Sequence, residues 1–269
     1  MTTTPVDSTR LVEERRGRVL LLRMESVCGR NPVSPTLSAS IRDALTRASA
    51  DSGIGAIILT GSNGVFSAGG DVRKLLTAFD EPRDVAVLQT LLAEAAATAV
   101  ALSDSEKPTI AVVNGAAAGG GLALALACDI RIAAVSAKFA YAYPHIALAG
   151  DFAINWNLMR VLGSARARHF CLSGRTLDSA AALRIGLVGE VIADDLLEAE
   201  AMVLATDIAS MPPQAIVRVK ANLDICETAS RTQAILLESE NFVIASRSAE
   251  HRNALEGFVE RRRQPGGKV

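Results

Sequence analysis

Aromatic residues are scarce. They make up 4% of the 269 residues, with one tryptophan and two tyrosines, so aliphatic side chains and alanine must build the core. Cysteine is scarce too: Cys28, Cys128, Cys171 and Cys226 lie far apart and form no C-x-x-C pair. That argues against a disulfide scaffold or a zinc site and fits a reducing compartment. Neither sign of charge dominates, since 28 Lys+Arg against 29 Asp+Glu leave a formal net charge of −1. The chain therefore lacks the basic excess of a nucleic-acid binder. It has no low-complexity linker, no internal repeat and no complete G-x-G-x-x-G or G-x-x-x-x-G-K-[ST] phosphate loop. The first ten residues, MTTTPVDSTR, lack the basic region of a signal peptide, and the first apolar run, Val19–Leu22, is too short for one. A cytoplasmic protein is expected, without metal, nucleic acid or membrane as partner. One stretch, Ile110–Cys128, approaches a membrane span in composition, but Asn114 and three consecutive glycines interrupt it. A buried strand followed by a buried helix accounts for it.

Hydrophobic residues at 49% and charged residues at 21% are ordinary globular usage. The length fits one large domain, or one domain with an appendage. Strands are predicted at Arg18–Met24, Ile54–Thr60, Thr109–Asn114, Asp129–Ala134 and Val188–Ile192. Between them, helices are predicted at Ser34–Ala50, Asp71–Ala78, Val85–Ser103, Gly119–Ala127, Asp151–Leu162, Ala165–Ser173 and Asp178–Ile185. Strands alternating with helices give an α/β architecture with parallel pairing. After Asp194 the chain reads as helix, broken at Pro212-Pro213 and ending in the basic run Arg261-Arg262-Arg263. The expected boundary lies near residue 195, between a core of residues 1–195 and a helical region of residues 196–269.

Two segments share one layout, a buried strand, a turn with consecutive glycines and then a helix. They are Ile57–Thr60 leading to FSAGGDV (Phe66–Val72), and Ile110–Val113 leading to NGAAAGGGLALA (Asn114–Ala125). Glycine lets backbone amides approach a ligand, and a helix N-terminus leaves amides unpaired and positive. Facing each other, two such turns would supply two amides to one developing oxyanion. Taken locally, the same glycines also fit tight turns and helix packing alone.

In order and spacing, FSAGGDV, VNGAAAGGG (Val113–Gly121) and ACDIRIAA (Ala127–Ala134) resemble the crotonase, or enoyl-CoA hydratase/isomerase, superfamily. RNPVSPTLSASI (Arg30–Ile41), SGRTLDSAAALRIGLVGEVI (Ser173–Ile192) and RSAEHRNALEGFVERRRQP (Arg247–Pro265) extend the likeness over nearly the whole chain. The resemblance implies a spiral of ββα units with a C-terminal helical region, binding of an acyl-coenzyme A thioester, and assembly as a homotrimer or hexamer. Coenzyme A would arrive as part of the substrate, with no other cofactor. Carried over, the oxyanion amides are those of Gly70 and Gly120. Ala68 and Val72 would lie along pantetheine and adenine, with Arg30 and Val33 near the other wall. Asp71, Gly119 and Tyr143 complete the binding residues, Asp71 chiefly by capping its helix and shaping the turn.

Hydratases of the superfamily use two glutamates, and the matching places here hold Ala123 and Tyr143. Neither is a carboxylate, so ordinary water addition is in doubt. The remaining acid is Asp151 in YAYPHIALAGDFAINW (Tyr141–Trp156), at a place where some isomerase-like members carry an aspartate. It is expected either to act as the base or to cap the following helix. His145 is expected to be a packed, hydrogen-bonded residue, and Ile154 and Trp156 to restrict or line an acyl pocket. Three functions follow: an enoyl-CoA isomerase with Asp151 as its one base, a hydratase or thioester hydrolase with atypical residues, or a non-catalytic acyl-CoA-binding subunit. The apolar positions Ile216, Val219, Leu223, Leu236, Leu237, Val243 and Ile244 exceed what a thin appendage can bury on itself, so they require the core or another subunit.

Overall fold

The computed structural model describes residues 9–79 and 84–263, without the side chains of residues 78, 79 and 261–263. The side chains of the basic run Arg261-Arg262-Arg263 thus lie outside the described residues. β1 (Arg10–Arg16) and β2 (Val19–Glu25) form an antiparallel hairpin, followed by α1 (Pro35–Ala50). Ser34 caps α1, its Oγ accepting from the Leu37 amide at 3.1 Å, with Pro35 in the first turn as expected. Such a cap contributes about 1 kcal/mol.

Three ββα passes follow. The first holds β3 (Ala56–Gly61), β4 (Val65–Ser67), α2 (Val72–Phe79) and α3 (Val85–Ser103). The second holds β5 (Thr109–Val113), β6 (Ala116–Ala118) and α4 (Gly120–Ala127). The third holds β7 (Ile130–Ala134), β8 (Lys138–Ala140), a 3-10 turn at Tyr143–Ile146 and α5 (Ile154–Ser173). β9 (Leu177–Asp178), α6 (Ser179–Ile185) and β10 (Glu190–Ile192) complete the sheets. The helices α7 (Leu197–Ser210), α8 (Pro213–Cys226), α9 (Arg231–Ser246) and α10 (Ala249–Arg263) come last.

The first strand of each pass enters a six-stranded sheet, ordered β1-β2-β3-β5-β7-β10, and the second enters a four-stranded sheet, ordered β4-β6-β8-β9. Pairing is parallel except at β1–β2 and β8–β9. The expected α/β spiral is therefore present. β3 and β5 are buried along their whole length, as strands covered on both faces must be. α7 lies against the larger sheet through Leu197, Ala201, Ala205 and Ala209, spaced one helical turn apart. From α8, Lys220 reaches back to Asp129 at 2.9 Å, beside the start of β7. Ile110–Cys128 is strand, turn and buried helix rather than a span.

Two expectations need correction. The helix predicted from Asp151 starts three residues later, at Ile154, because Phe152 and Ala153 take positive φ values of 50° and 55°. Five strands escape periodicity. β1 carries charge at five of its seven positions, β6 is three alanines, and β4, β8 and β9 are no longer than three residues.

Candidate active site

The turns after β4 and β6 meet. A Cβ placed on Gly69, whose φ is +85°, would lie 2.6 Å from the Ala118 carbonyl oxygen and 3.2 Å from the Gly120 nitrogen. One placed on Gly121 would lie 2.4 Å from the Ser67 carbonyl oxygen. Only glycine at these two positions allows the backbones to touch. Gly70 follows on one side of this contact, and Gly120 opens α4 on the other. Among the described residues, neither the Gly70 nor the Gly120 amide donates a hydrogen bond. The Gly120 amide also carries the positive end of the α4 dipole.

The first turn is braced from outside. The Val33 amide donates to the Gly69 carbonyl at 2.8 Å, and the Ala68 amide donates to the Arg30 carbonyl at 2.9 Å. Asp71 caps α2, its Oδ1 accepting from the amides of Arg73 (3.0 Å) and Lys74 (3.3 Å). Arg30, Ala68, Gly70 and Val72 present an exposed edge, with Val33 and Asp71 half-buried beside it.

Tyr143 connects the second turn to the acid. Its ring lies 3.8 Å from where a side chain on Gly119 would begin, and its hydroxyl donates to Asp151 Oδ1. Tyr141 packs against it with ring centroids 5.2 Å apart, and the Tyr141 hydroxyl is 2.7 Å from the Ala149 carbonyl. Burial pushes the Asp151 carboxyl above the ordinary carboxylate range, against the opposing pull of the Tyr143 hydroxyl. Burial, and then the bond to Asp151, push the Tyr143 phenol far up, so it stays protonated. The backbone here is unusual. Ala142, Ala147, Phe152 and Ala153 all have φ between 50° and 57°. Non-glycine residues in this region cost roughly 1–3 kcal/mol each and concentrate where a structure holds groups for a task.

Asp151 does not cap α5. The N-cap position is Ala153, without a side-chain bond, and the Asp151 side chain is turned to Tyr143. The fold thus brings Gly69, Gly70, Gly119, Gly120, Tyr143 and Asp151 to one place.

The sequence profile described as enoyl-CoA hydratase/isomerase matches residues 14–266. A probable enoyl-CoA hydratase of Mycobacterium tuberculosis is 33% identical over 253 residues, covering 94% of this chain and 95% of that protein. The 1,2-epoxyphenylacetyl-CoA isomerase of Escherichia coli is 32% identical over 234 residues, covering 86% and 88%. The crystal structure of an enoyl-CoA hydratase from Polaromonas sp. JS666 superposes with a TM-score of 0.88 at 27% identity, covering 93% and 96%.

The chain belongs to the enoyl-CoA hydratase/isomerase family, within the crotonase superfamily.

In this crotonase-fold chain Ala123 is fully buried inside α4, one turn beyond Gly120. His145 is hydrogen-bonded but not packed as expected: it is exposed on the 3-10 turn, its Nε2 2.9 Å from the Gly174 carbonyl. Ile154 is fully buried, whereas Trp156 is 52% exposed with the Arg160 guanidinium 3.4 Å above its ring. Sequence reading passed over Asn31, which is completely buried with φ +48°. Its visible signal is an asparagine, a residue that tolerates positive φ, inside the quoted RNPVSP segment.

Proposed function

We propose that this protein is an acyl-CoA-binding enzyme that moves a double bond in an enoyl-CoA thioester. Asp151 removes a proton from the α- or γ-carbon, and the C–H electron pair passes into a dienolate. The amides of Gly70 and Gly120 hold the oxygen charge. The same acid returns the proton to the other carbon, which restores the thioester with its double bond shifted. No water is added, so one base suffices. The observation that carries this reading is the half-buried Asp151, joined through Tyr143 to the edge of the Gly119–Gly120 turn. Arg30, Val33, Ala68 and Val72 form the wall along which the coenzyme A part lies, and the reading needs no other cofactor.

The hydratase among the relatives supports a second reading, in which Asp151 directs water to the enoyl group or the thioester. Incubation of an unsaturated acyl-CoA in heavy water separates these functions. A shifted double bond without hydration is expected, with deuterium at the α- or γ-carbon as far as the proton on Asp151 exchanges with solvent. Hydrated product or free coenzyme A supports the second reading, and binding with no conversion supports a non-catalytic subunit.

Tyr143→Phe removes the donor that favours the charged form of Asp151 while burial still opposes it. The acid limb of kcat/KM should move to higher pH, by an amount that solvent at half-buried Asp151 moderates. An unmoved limb would show that the titrating base lies elsewhere.

We also propose a homotrimer or hexamer. Leu236 and Phe242 are 66% and 74% exposed on α9, and Val219 and Leu223 stand exposed on α8. Light scattering at micromolar concentration should give three or six times the 28.2 kDa chain mass. A monomer would refute the assembly.

A further inference from the structure

We infer that Asn31 is a positioning residue for the oxyanion hole, holding the Ala68–Gly70 turn in register with Gly120 although it touches no substrate. The inference rests on the oxyanion reading proposed above.

Asn31 uses every polar group it has. Its Nδ2 donates to the carbonyls of Ser62 (3.1 Å) and Val65 (2.7 Å), fixing the connection from β3 into β4. Its Oδ1 accepts from the Ser26 amide (3.1 Å) and the Ser62 hydroxyl (3.0 Å). A backbone amide can only donate and carbonyls can only accept, so these partners fix which way the carboxamide faces. The Asn31 carbonyl accepts from Ser67 Oγ at 2.7 Å, and the same Oγ accepts from the Gly69 amide at 3.2 Å. Its neighbours complete the strap, Arg30 through Ala68 and Val33 through Gly69.

The turn therefore hangs between β4 and the segment Arg30–Val33, and Asn31 ties that segment to both ends of the β3–β4 connection. The clearance it guards is small, because the Gly69 backbone already sits against Ala118 and Gly120. A shift of the turn moves the Gly70 amide away from the point it shares with the Gly120 amide. A misplacement of about 1 Å, even from a change far from the chemistry, can cost roughly 10²-fold in rate.

Asn31→Gly keeps the positive φ available and deletes the side chain. On any enoyl-CoA the wild type converts, kcat should fall about 10- to 100-fold while KM changes less than about threefold. A carbonyl-labelled saturated probe, butyryl-CoA with 13C at the thioester carbon, reports the hole directly by infrared spectroscopy. Bound to wild type, its carbonyl stretch should shift to lower frequency, and Asn31→Gly should restore part of the free value. If wild type shows the shift and the variant keeps both the shift and kcat, the positioning role is refuted and the oxyanion reading stands. If wild type itself shows no shift, both fall together. Ser67→Ala cuts only the link from the Asn31 carbonyl to Gly69 and serves where Asn31→Gly fails to fold. It should give a smaller loss of kcat and a partial return of the stretch, and an unchanged stretch refutes the strap.

Discussion

Asp151→Asn should lower kcat by about 10²- to 10⁴-fold, the range for loss of a general base, with acyl-CoA affinity retained. Asparagine keeps the size of the side chain and can still accept the Tyr143 hydroxyl, but it cannot take a proton from carbon. The fold should survive the change. The α5 N-terminus does not use this side chain, so the variant loses no cap. A pre-steady-state binding measurement with a saturated acyl-CoA beside turnover assays reads the two effects separately. If the variant keeps near-full turnover, Asp151 is not the base, and His145 is the next group to test.

The same substitution has a pH signature. The folded chain binds the Asp151 proton more tightly than the unfolded chain does, because burial raises its pKa. Stability from this proton is fully present below about pH 4, the ordinary aspartate range, and is lost as pH rises through the folded value. Activity runs the opposite way, since the base must be deprotonated, so kcat/KM climbs through that same window. In Asp151→Asn the acid limb should vanish together with the activity, and the stability of the variant relative to wild type should rise with pH across the window. A stability curve unchanged by the substitution would mean that Asp151 titrates alike in folded and unfolded chains.

In the larger sheet β3 and β5 were readable because they are buried on both faces and leave the continuous apolar runs AIILTG and TIAVV. The smaller sheet was not. Its strands are two or three residues long, one of them Ala116–Ala118, too short for any period to declare itself. At the site, the glycine turns were visible as motifs, but their contact was not, because it depends on the absence of two Cβ atoms from different passes of the spiral. Asp151 and Tyr143 were each singled out, yet their pairing follows from a reversal built on positive φ at four non-glycine residues. Propensity gives no warning of that, since alanine and phenylalanine rarely adopt such angles. Asn31 was hidden for a related reason. Apart from Ser26, its partners lie in or beside the β3–β4 connection, 31 or more residues away in sequence.

Gly120→Pro tests the other half of the proposed chemistry, with an expected loss of about 10²- to 10³-fold in kcat for one oxyanion donor. Proline deletes the Gly120 N–H, which no group in the fold requires, and Gly120 is the first helical residue, where proline is favoured. A Cβ at this position meets only Val33, 3.7 Å away. Gly120→Ala is the control, because it adds the same Cβ and keeps the amide. It should stay within a few-fold of wild type. Gly121→Ala inverts the logic by keeping every amide while placing a Cβ 2.4 Å from the Ser67 carbonyl oxygen, which forces the two turns apart. It should lose stability and turnover together. Equal losses in Gly120→Pro and Gly120→Ala would show that crowding, and not a donated hydrogen bond, is what this position senses, and the enolate would then need another donor.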